Sequence, residues 1–314
     1  MSRINCTPPA DFTLVGLSEI PSLQSLLFVM FLIIYIVTLL GNTCIIFAYQ
    51  HSSILHTPMY FFLANFSFLD ICYISTTVPN MLSNFLHGHN AISFHGCVVQ
   101  LYFLMLLGST ECYILAAMAY DRYNAICCPL RYTVIMNKVS CTNYVFGSWT
   151  IGIVNSVIHT TLTFTLPFCA SNKINYFFCD IPPLLSLVEA DTRINELSTF
   201  IIGGVVTMGS LLLTIISYSM IITTIVKIHS SSGRMKAFST CVSHFTVVTI
   251  FYGSGIFIYL KPKSNYIMDY DRLVAVMYTI IAPLLNPFIY SLRNNDVKVA
   301  VRKLVCEGLA AGKS

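Results

Sequence analysis

"CVVQLYFLMLLGSTECYILAAMAYDRYNAICCPLRY", residues 97–132, holds Glu111 as its only charged side chain until Asp121 and Arg122 stand side by side. Coiled as a helix at about 1.5 Å per residue, Cys97 to Arg122 covers about 37 Å. That is somewhat more than the roughly 30 Å hydrocarbon core of a bilayer. The stretch therefore reads as a membrane-spanning helix with an acid near its middle and a charged pair at one mouth. The rest of the chain is of the same character. Of 314 residues, 56% are hydrophobic and 10% charged, and the mean hydropathy is +0.74, against about 25% charged in an ordinary soluble domain. Apolar runs of helical spanning length are predicted at 26–49, 58–82, 97–120, 142–166, 197–226, 237–260 and 273–292. They are continuous, where a β-barrel would show alternating segments of about ten residues. The expected fold is an all-α membrane protein: an outer segment 1–25, a seven-helix domain 26–292 and an inner amphipathic helix and tail 293–314.

With the N-terminus outside, the inner loops and tail carry Arg122, Arg131, Lys138, Lys227, Arg234, Lys236, Arg293, Lys298, Arg302, Lys303 and Lys313. That is eleven of the 17 Lys and Arg residues, in keeping with the enrichment of positive charge on the cytoplasmic side. An odd number of crossings then leaves the C-terminus in the cytosol. The start "MSRINCTPPADF" lacks the basic-then-apolar pattern of a secretory signal, so the first span is expected to direct insertion. Asn5-Cys6-Thr7 is a glycosylation sequon that this orientation exposes to the lumen. Asn65-Phe66-Ser67 matches the same pattern inside a span and is expected to be silent. The net charge of +4 reads as membrane topology and not as a nucleic-acid surface.

Five segments in order carry a resemblance to a known family: Gly41-Asn42, "LHTPMYFFLANFSFLD" at 55–70, "MAYDRYNAIC" at 118–127, "KAFSTCVSHF" at 236–245 and "PLLNPFIYSLRN" at 283–294. Together they resemble the rhodopsin-like G-protein-coupled receptors, and more narrowly the olfactory receptors of the tetrapod (class II) branch. The resemblance covers nearly the whole chain. It implies that Asp121 holds Arg122 at rest and releases it toward a heterotrimeric G protein of the stimulatory type, with Tyr218 and Tyr290 reaching toward Arg122 in the active form. Tyr123 and Lys236 complete the expected coupling set. Asn124 departs from the usual Val of the motif and is expected at the cytosolic edge, with a small effect on coupling.

The same resemblance gives Asp70 and Glu111 a shared sodium ion or proton, with Asn42, Asn286 and Ser109 as polar neighbours. An unpaired carboxylate at mid-membrane costs about 2.5–3.5 kcal/mol, so some such partner is required. Pro287, within "NPFIY", removes a backbone hydrogen bond and bends the last span, and the carbonyl it frees needs a side chain or water. Cys97 and Cys179 are expected to form the disulfide of the receptor family. Its relatives usually carry a second bridge in the same loop, but Glu189 stands where the partner of Cys169 belongs, which leaves Cys169 and Cys6 unassigned. The cysteines at 44, 72, 112, 127, 128, 141 and 241 are expected as small apolar core residues.

The ligand is expected in the outer half of the bundle. The lining residues are predicted as Leu101, Leu104, Met105, Gly108 and Ser109 of the third span; Thr199, Ile202 and Val206 of the fifth; Tyr252, Gly255, Ile256 and Tyr259 of the sixth; and Val276 and Thr279 of the seventh. These faces carry no charge at mid-depth, which suits a small, neutral, mostly apolar volatile held by one or two hydrogen bonds from Ser109, Tyr259 or Thr279. Lys263 is expected as a solvated anchor at the rim, and His87, His89 and His95 as a hydrated outer cluster. After the last span, Val297, Val301, Leu304 and Val305 interleave with Lys298, Arg302 and Lys303 as a basic amphipathic helix on the inner leaflet, where Cys306 is a candidate for palmitoylation. No P-loop, HExxH or nucleophile elbow is present. The rival readings are an ion-coupled transporter or channel, because acids within the membrane also mark ion paths, and a rhodopsin-like receptor for a non-odorant ligand.

Overall fold

The computed structural model describes residues 9–17, 20–88, 90–168, 171–228, 230–259, 268–293, 297–300 and 302. The chain is mostly helical: α1 Pro21–His51, α2 Pro58–His87, α3 Phe94–Cys127, α4 Tyr132–Ile135, α5 Lys138–Phe164, α6 Ile181–Leu185, α7 Arg193–Ser198, α8 Gly204–Val226, α9 Ser231–Tyr259, α10 Met268–Val276 and α11 Ala282–Arg293. Two π-helical turns, Thr199–Gly203 and Met277–Ile281, join α7 to α8 and α10 to α11. The expected spans 197–226 and 273–292 are thus each built from two helices with a wider turn between them, which re-aims the side chains at that level. Among the described residues, five stretches are long and apolar enough to cross a membrane: Ser22–His51, Pro58–His87, Phe94–Cys127, Arg193–Val226 and Tyr270–Tyr290. α5 and α9, of 27 and 29 residues, pack beside them.

The helix ends follow their sequences. Pro21 and Pro58 stand in first turns, where the missing N–H has no helical partner to lose. Ser93 accepts from Gly96 N–H at 3.0 Å and Asn137 from Ser140 N–H at 2.9 Å, capping α3 and α5. Gly88 closes α2 with φ +65°, a left-handed conformation that glycine adopts at no steric cost.

The solvent of the bundle is legible in which faces are apolar. α5 turns Phe146, Ile153, Val154 and Val157 outward, and buries Ser148, Gly152, Asn155, Ser156, His159, Thr160 and Thr163. This inverted pattern suits hydrocarbon, where small and polar residues draw helices together and apolar ones face lipid. It also explains why α5 is less apolar than its neighbours. It meets α3 tightly at Gly152, where an added methyl group would stand 2.7 Å from the Leu106 carbonyl oxygen. Ser156 closes the same seam by donating to the Tyr102 carbonyl at 2.5 Å.

Pro287 gives the last helix its weak point, because it leaves the Pro283 carbonyl, four residues earlier, without an N–H partner. Asn42 Nδ2 donates to that carbonyl at 3.2 Å, and to Thr38 O of its own helix at 3.1 Å. The expected side-chain partner is therefore a residue of α1, and it ties the first helix to the last. Gly41, beside it, lets α11 come close: a methyl group there would lie 3.0 Å from Pro287 Cβ.

At the Cys97 end of α3 lies a small sheet that the sequence reading did not anticipate. β1 Asp11–Leu14 pairs antiparallel with β2 Ala91–Ser93 and parallel with β3 Lys173–Ile174. Alternation buries Phe12 and Leu14, and the Phe12 ring packs on Phe94 and Phe168 at 5.9 and 5.6 Å. Cys44 is exposed on the outer surface of α1, where it was expected in the core, whereas Cys112, Cys141 and Cys241 are buried. Cys6, Cys169, Cys306, Asn5, His89 and Lys263 lie outside the described residues, as does most of the expected amphipathic tail.

Replacing Asn42 with Leu removes the donor while keeping the size, and strands the Pro283 carbonyl in an apolar seam. The expected cost is about 1–3 kcal/mol, read as a lower unfolding temperature in detergent and less receptor at the cell surface. An unchanged melting curve would contradict the role given to this bond.

Candidate functional site

A cavity of about 100 Å³ opens between α3, α5, α8 and α9. Of the residues expected to line it, Leu104, Met105, Gly108, Ser109, Thr199, Val206, Tyr252 and Gly255 do so. Leu101 is fully buried in the packed core, while Ile256 and Val276 are partly buried against that core and Ile202 is half-buried. Thr279 is fully buried, and its hydroxyl donates to Ala275 O at 2.7 Å. Tyr259 belongs to α9 by its backbone, but its side chain is outside the described residues. The wall also includes Tyr73, Cys112, Asn155, His159, Ile181, Gly203, Thr207, Phe251 and Tyr278, none of which the sequence reading picked out. For Asn155 and His159 the signal was present: polar residues recurring at helical spacing within a span mark its inward face.

One side of the cavity is closed by the segment that follows β3. Cys97 and Cys179 are joined by a disulfide, with their Cα atoms 5.5 Å apart. Gln100 reinforces the link: its Oε1 accepts from Cys179 N–H at 2.8 Å and its Nε2 donates to Thr76 O at 2.9 Å. Asp180 accepts from Ile181 N–H at 2.8 Å and from the Tyr278 hydroxyl at 3.4 Å, which sets Ile181 and α6 against the cavity.

At the opposite end of α3, Asp121 is fully buried and holds Arg122 through one oxygen, with Nη2 at 2.6 Å and Nε at 3.1 Å. Its other oxygen accepts from the Tyr132 hydroxyl at 2.8 Å. Tyr132 lies on α4 in the connecting segment, and burial, together with the Asp121 carboxylate, raises its pKa above the ordinary phenol value. Asp121 is thus shared between its neighbour and the loop. Across from it, the Tyr218 hydroxyl and His244 Nδ1 are 2.7 Å apart with their rings stacked. Arg122 is near enough to Tyr218, His244 and Tyr290 to act on each through its charge. The Tyr290 hydroxyl is buried and makes no hydrogen bond among the described residues. Tyr123 packs on Tyr120 with ring centroids 6.1 Å apart, and the side chain of Lys236 is outside the described residues. Asn124, expected at the cytosolic edge, is 1% exposed, with its amide donating to Tyr120 O of its own helix.

Midway along α3 lies Glu111, 3% exposed, with one carboxylate oxygen, Oε1, lacking any hydrogen-bond partner among the described residues. Asp70, 1% exposed, accepts from Asn286 Nδ2 on both oxygens at 3.0 Å. Of the other expected neighbours, Ser109 accepts from Asn155 Nδ2 at 2.8 Å, and Asn42 is engaged with α11.

These features define a multi-pass helical membrane protein with a small, mostly apolar cavity near one end and a buried charged pair near the other. The family is decided by comparison with known proteins. The family profile described as "Olfactory receptor" matches residues 31–308. Among similar proteins, Olfactory receptor 5AR1 of Mus musculus is 48% identical over 305 residues, covering 97% of this chain and 98% of its own. The Homo sapiens protein of that name is 47% identical with the same coverage. Olfactory receptor 8U9 of Homo sapiens is 47% identical over 97% of this chain and 99% of its own. The chain belongs to the olfactory receptor family, and its mammalian relatives accord with the tetrapod branch. That family consists of G-protein-coupled receptors and not of enzymes, which also sets aside the transporter or channel reading.

Tyr132→Phe keeps the ring but removes the hydroxyl that Asp121 accepts from. With the carboxylate less well anchored, basal G-protein signalling should change by about 2- to 10-fold, as expected for the loss of one charge-assisted hydrogen bond. The measurement is ligand-free signalling normalised to receptor at the surface; an unchanged basal level would show that the bond does not restrain Asp121.

Proposed function

We propose that the chain is a seven-crossing odorant receptor of the plasma membrane, with its N-terminus outside. It binds a small, mostly apolar volatile in the cavity beside Ser109 and activates a stimulatory heterotrimeric G protein that raises cyclic AMP. The observation that carries the reading is that one helix, α3, contributes Leu104, Met105, Gly108 and Ser109 to the cavity and Asp121–Arg122 to the opposite end. Support for seven crossings comes from the lengths of α5 and α9, 27 and 29 residues, which match a bilayer at about 1.5 Å per residue. The positive charges of the later loops support the orientation.

In this mechanism the volatile binds the active arrangement more tightly than the resting one. That differential affinity is the only free energy available to shift the equilibrium. At rest Asp121 holds Arg122. In the active form Arg122 leaves the carboxylate for the G protein, with Tyr218 and Tyr290 as its new neighbours. The unsatisfied Tyr290 hydroxyl and the proximity of Arg122 to both tyrosines support this exchange. Asp70 and Glu111 share a sodium ion or a proton, as the unpartnered Glu111 oxygen supports; hard oxygen ligands suit a cation of that kind. Asn286 is the neighbour whose hydrogen bonds reach this pair. Asn5 carries a glycan, and Cys306 is the candidate site for palmitoylation.

Arg122→Ala should abolish odorant-stimulated cyclic AMP while receptor remains detectable at the surface by an N-terminal epitope on unpermeabilised cells. Normal stimulation by a surface-expressed Arg122→Ala variant would contradict the mechanism, and an epitope accessible only after permeabilisation would contradict the orientation.

A further inference from the structure

Most of the polar groups around the cavity are already engaged with the protein. The Tyr252 hydroxyl donates to Cys112 O at 2.9 Å, the Tyr278 hydroxyl to Asp180 at 3.4 Å and the Thr199 hydroxyl to Asn195 O at 2.8 Å. Asn155 donates to Ser109 at 2.8 Å. His159 differs from all of them. It is 3% exposed, lines the cavity one helical turn from Asn155, and makes no hydrogen bond with any described residue. A buried imidazole without partners is costly, because the uncharged ring presents both an N–H and a bare nitrogen. Two hydroxyls of the wall are also uncommitted, those of Tyr73 and Thr207. Thr207 can rotate back onto a carbonyl of its own helix, an option the His159 ring lacks. Tyr73 comes from α2, a different helix from the α5 that carries His159.

We infer that His159 orients the odorant, and that the ligand class is a compact uncharged alcohol or phenol. This rests on the odorant-receptor reading and names the chemistry of its ligand. A hydroxyl is the simplest head group that donates and accepts at once, so it satisfies the imidazole and a Tyr73 or Thr207 hydroxyl together. Aldehydes, ketones and esters only accept. Among the described residues the wall holds no Lys or Arg to meet a carboxylate and no Asp or Glu to meet an ammonium, so either would carry the cost of an unpaired buried charge. The remaining lining, including Leu104, Met105, Val206 and Phe251, takes the hydrocarbon. The volume of about 100 Å³ is below the roughly 150 Å³ of a cavity that accommodates a benzene ring, which favours compact frames of about three to six carbons.

The test uses the full-length receptor with a cyclic-AMP reporter and straight-chain and cyclic frames of three to six carbons. Each frame is offered as alcohol, aldehyde or ketone, carboxylic acid, amine and hydrocarbon. Alcohols should be the most potent class. His159→Phe, which keeps a planar ring, should weaken alcohol responses about tenfold, while His159→Gln, which retains a donor and an acceptor, should keep most of the potency; surface receptor is quantified for both. The inference is overturned if acids, amines or carbonyl compounds outrank the alcohols, if His159→Phe leaves alcohol potency unchanged, or if it weakens every class alike. If no compound of any class raises cyclic AMP in a receptor present at the surface, the odorant reading itself fails and the ligand assignment falls with it.

Discussion

The structure depends on a constraint set by its solvent: hydrocarbon offers no hydrogen bonds, so a polar group in the bundle needs a partner inside the protein or a bound ion, water or ligand. The link from Asn42 to the Pro283 carbonyl is the clearest case. Pro287 opens a gap in the ladder of α11, and a side chain from the opposite end of the sequence fills it. The same constraint inverts α5, which shows its apolar side outward and buries Ser148, Asn155, Ser156 and His159. What would be the wet face of a soluble helix becomes here the inner seam and the polar side of the cavity.

α3 connects the two ends. It packs against α2, α5 and α8, carries part of the cavity wall, passes the Glu111 carboxylate and ends in the Asp121–Arg122 pair. Asp121 divides its two oxygens between Arg122 and Tyr132, so motion of either the helix end or the loop is felt at the same carboxylate. Coupling between two such sites typically amounts to about 1–3 kcal/mol. A ligand held by one or two hydrogen bonds and a few apolar contacts supplies energy on that scale. Tight binding is not required of it, only a difference in affinity between the two arrangements.

Much of this was legible in the residues. Long apolar runs, the position of the Arg122 pair, the inward acids and the need for a partner opposite Pro287 all follow from the price of polarity in lipid. The family resemblance added the Cys97–Cys179 bridge. What escaped were features that depend on how helices meet. The π turns at Thr199–Gly203 and Met277–Ile281 leave no compositional trace. Tyr132 returns to Asp121 only because α4 folds back under α3. The β1–β2–β3 sheet joins strands of four, three and two residues, too short to stand out as a period in the sequence. Asn155 and His159 stand in the sequence as polar positions at helical spacing, a weaker signal than the apolar faces of the other spans.

The central claim is that filling the cavity moves the Arg122 end of the bundle. Spin labels at Val134 and Met235, both exposed near that end, attached by chemistry that spares the native cysteines, allow the distance between the Tyr132 loop and the start of α9 to be measured in lipid nanodiscs. The account predicts a shift toward longer distances when an activating volatile is added, and no shift with an inactive compound of the same carbon frame. An identical distance distribution with and without a bound activating volatile, in receptor that still engages its G protein, would contradict it.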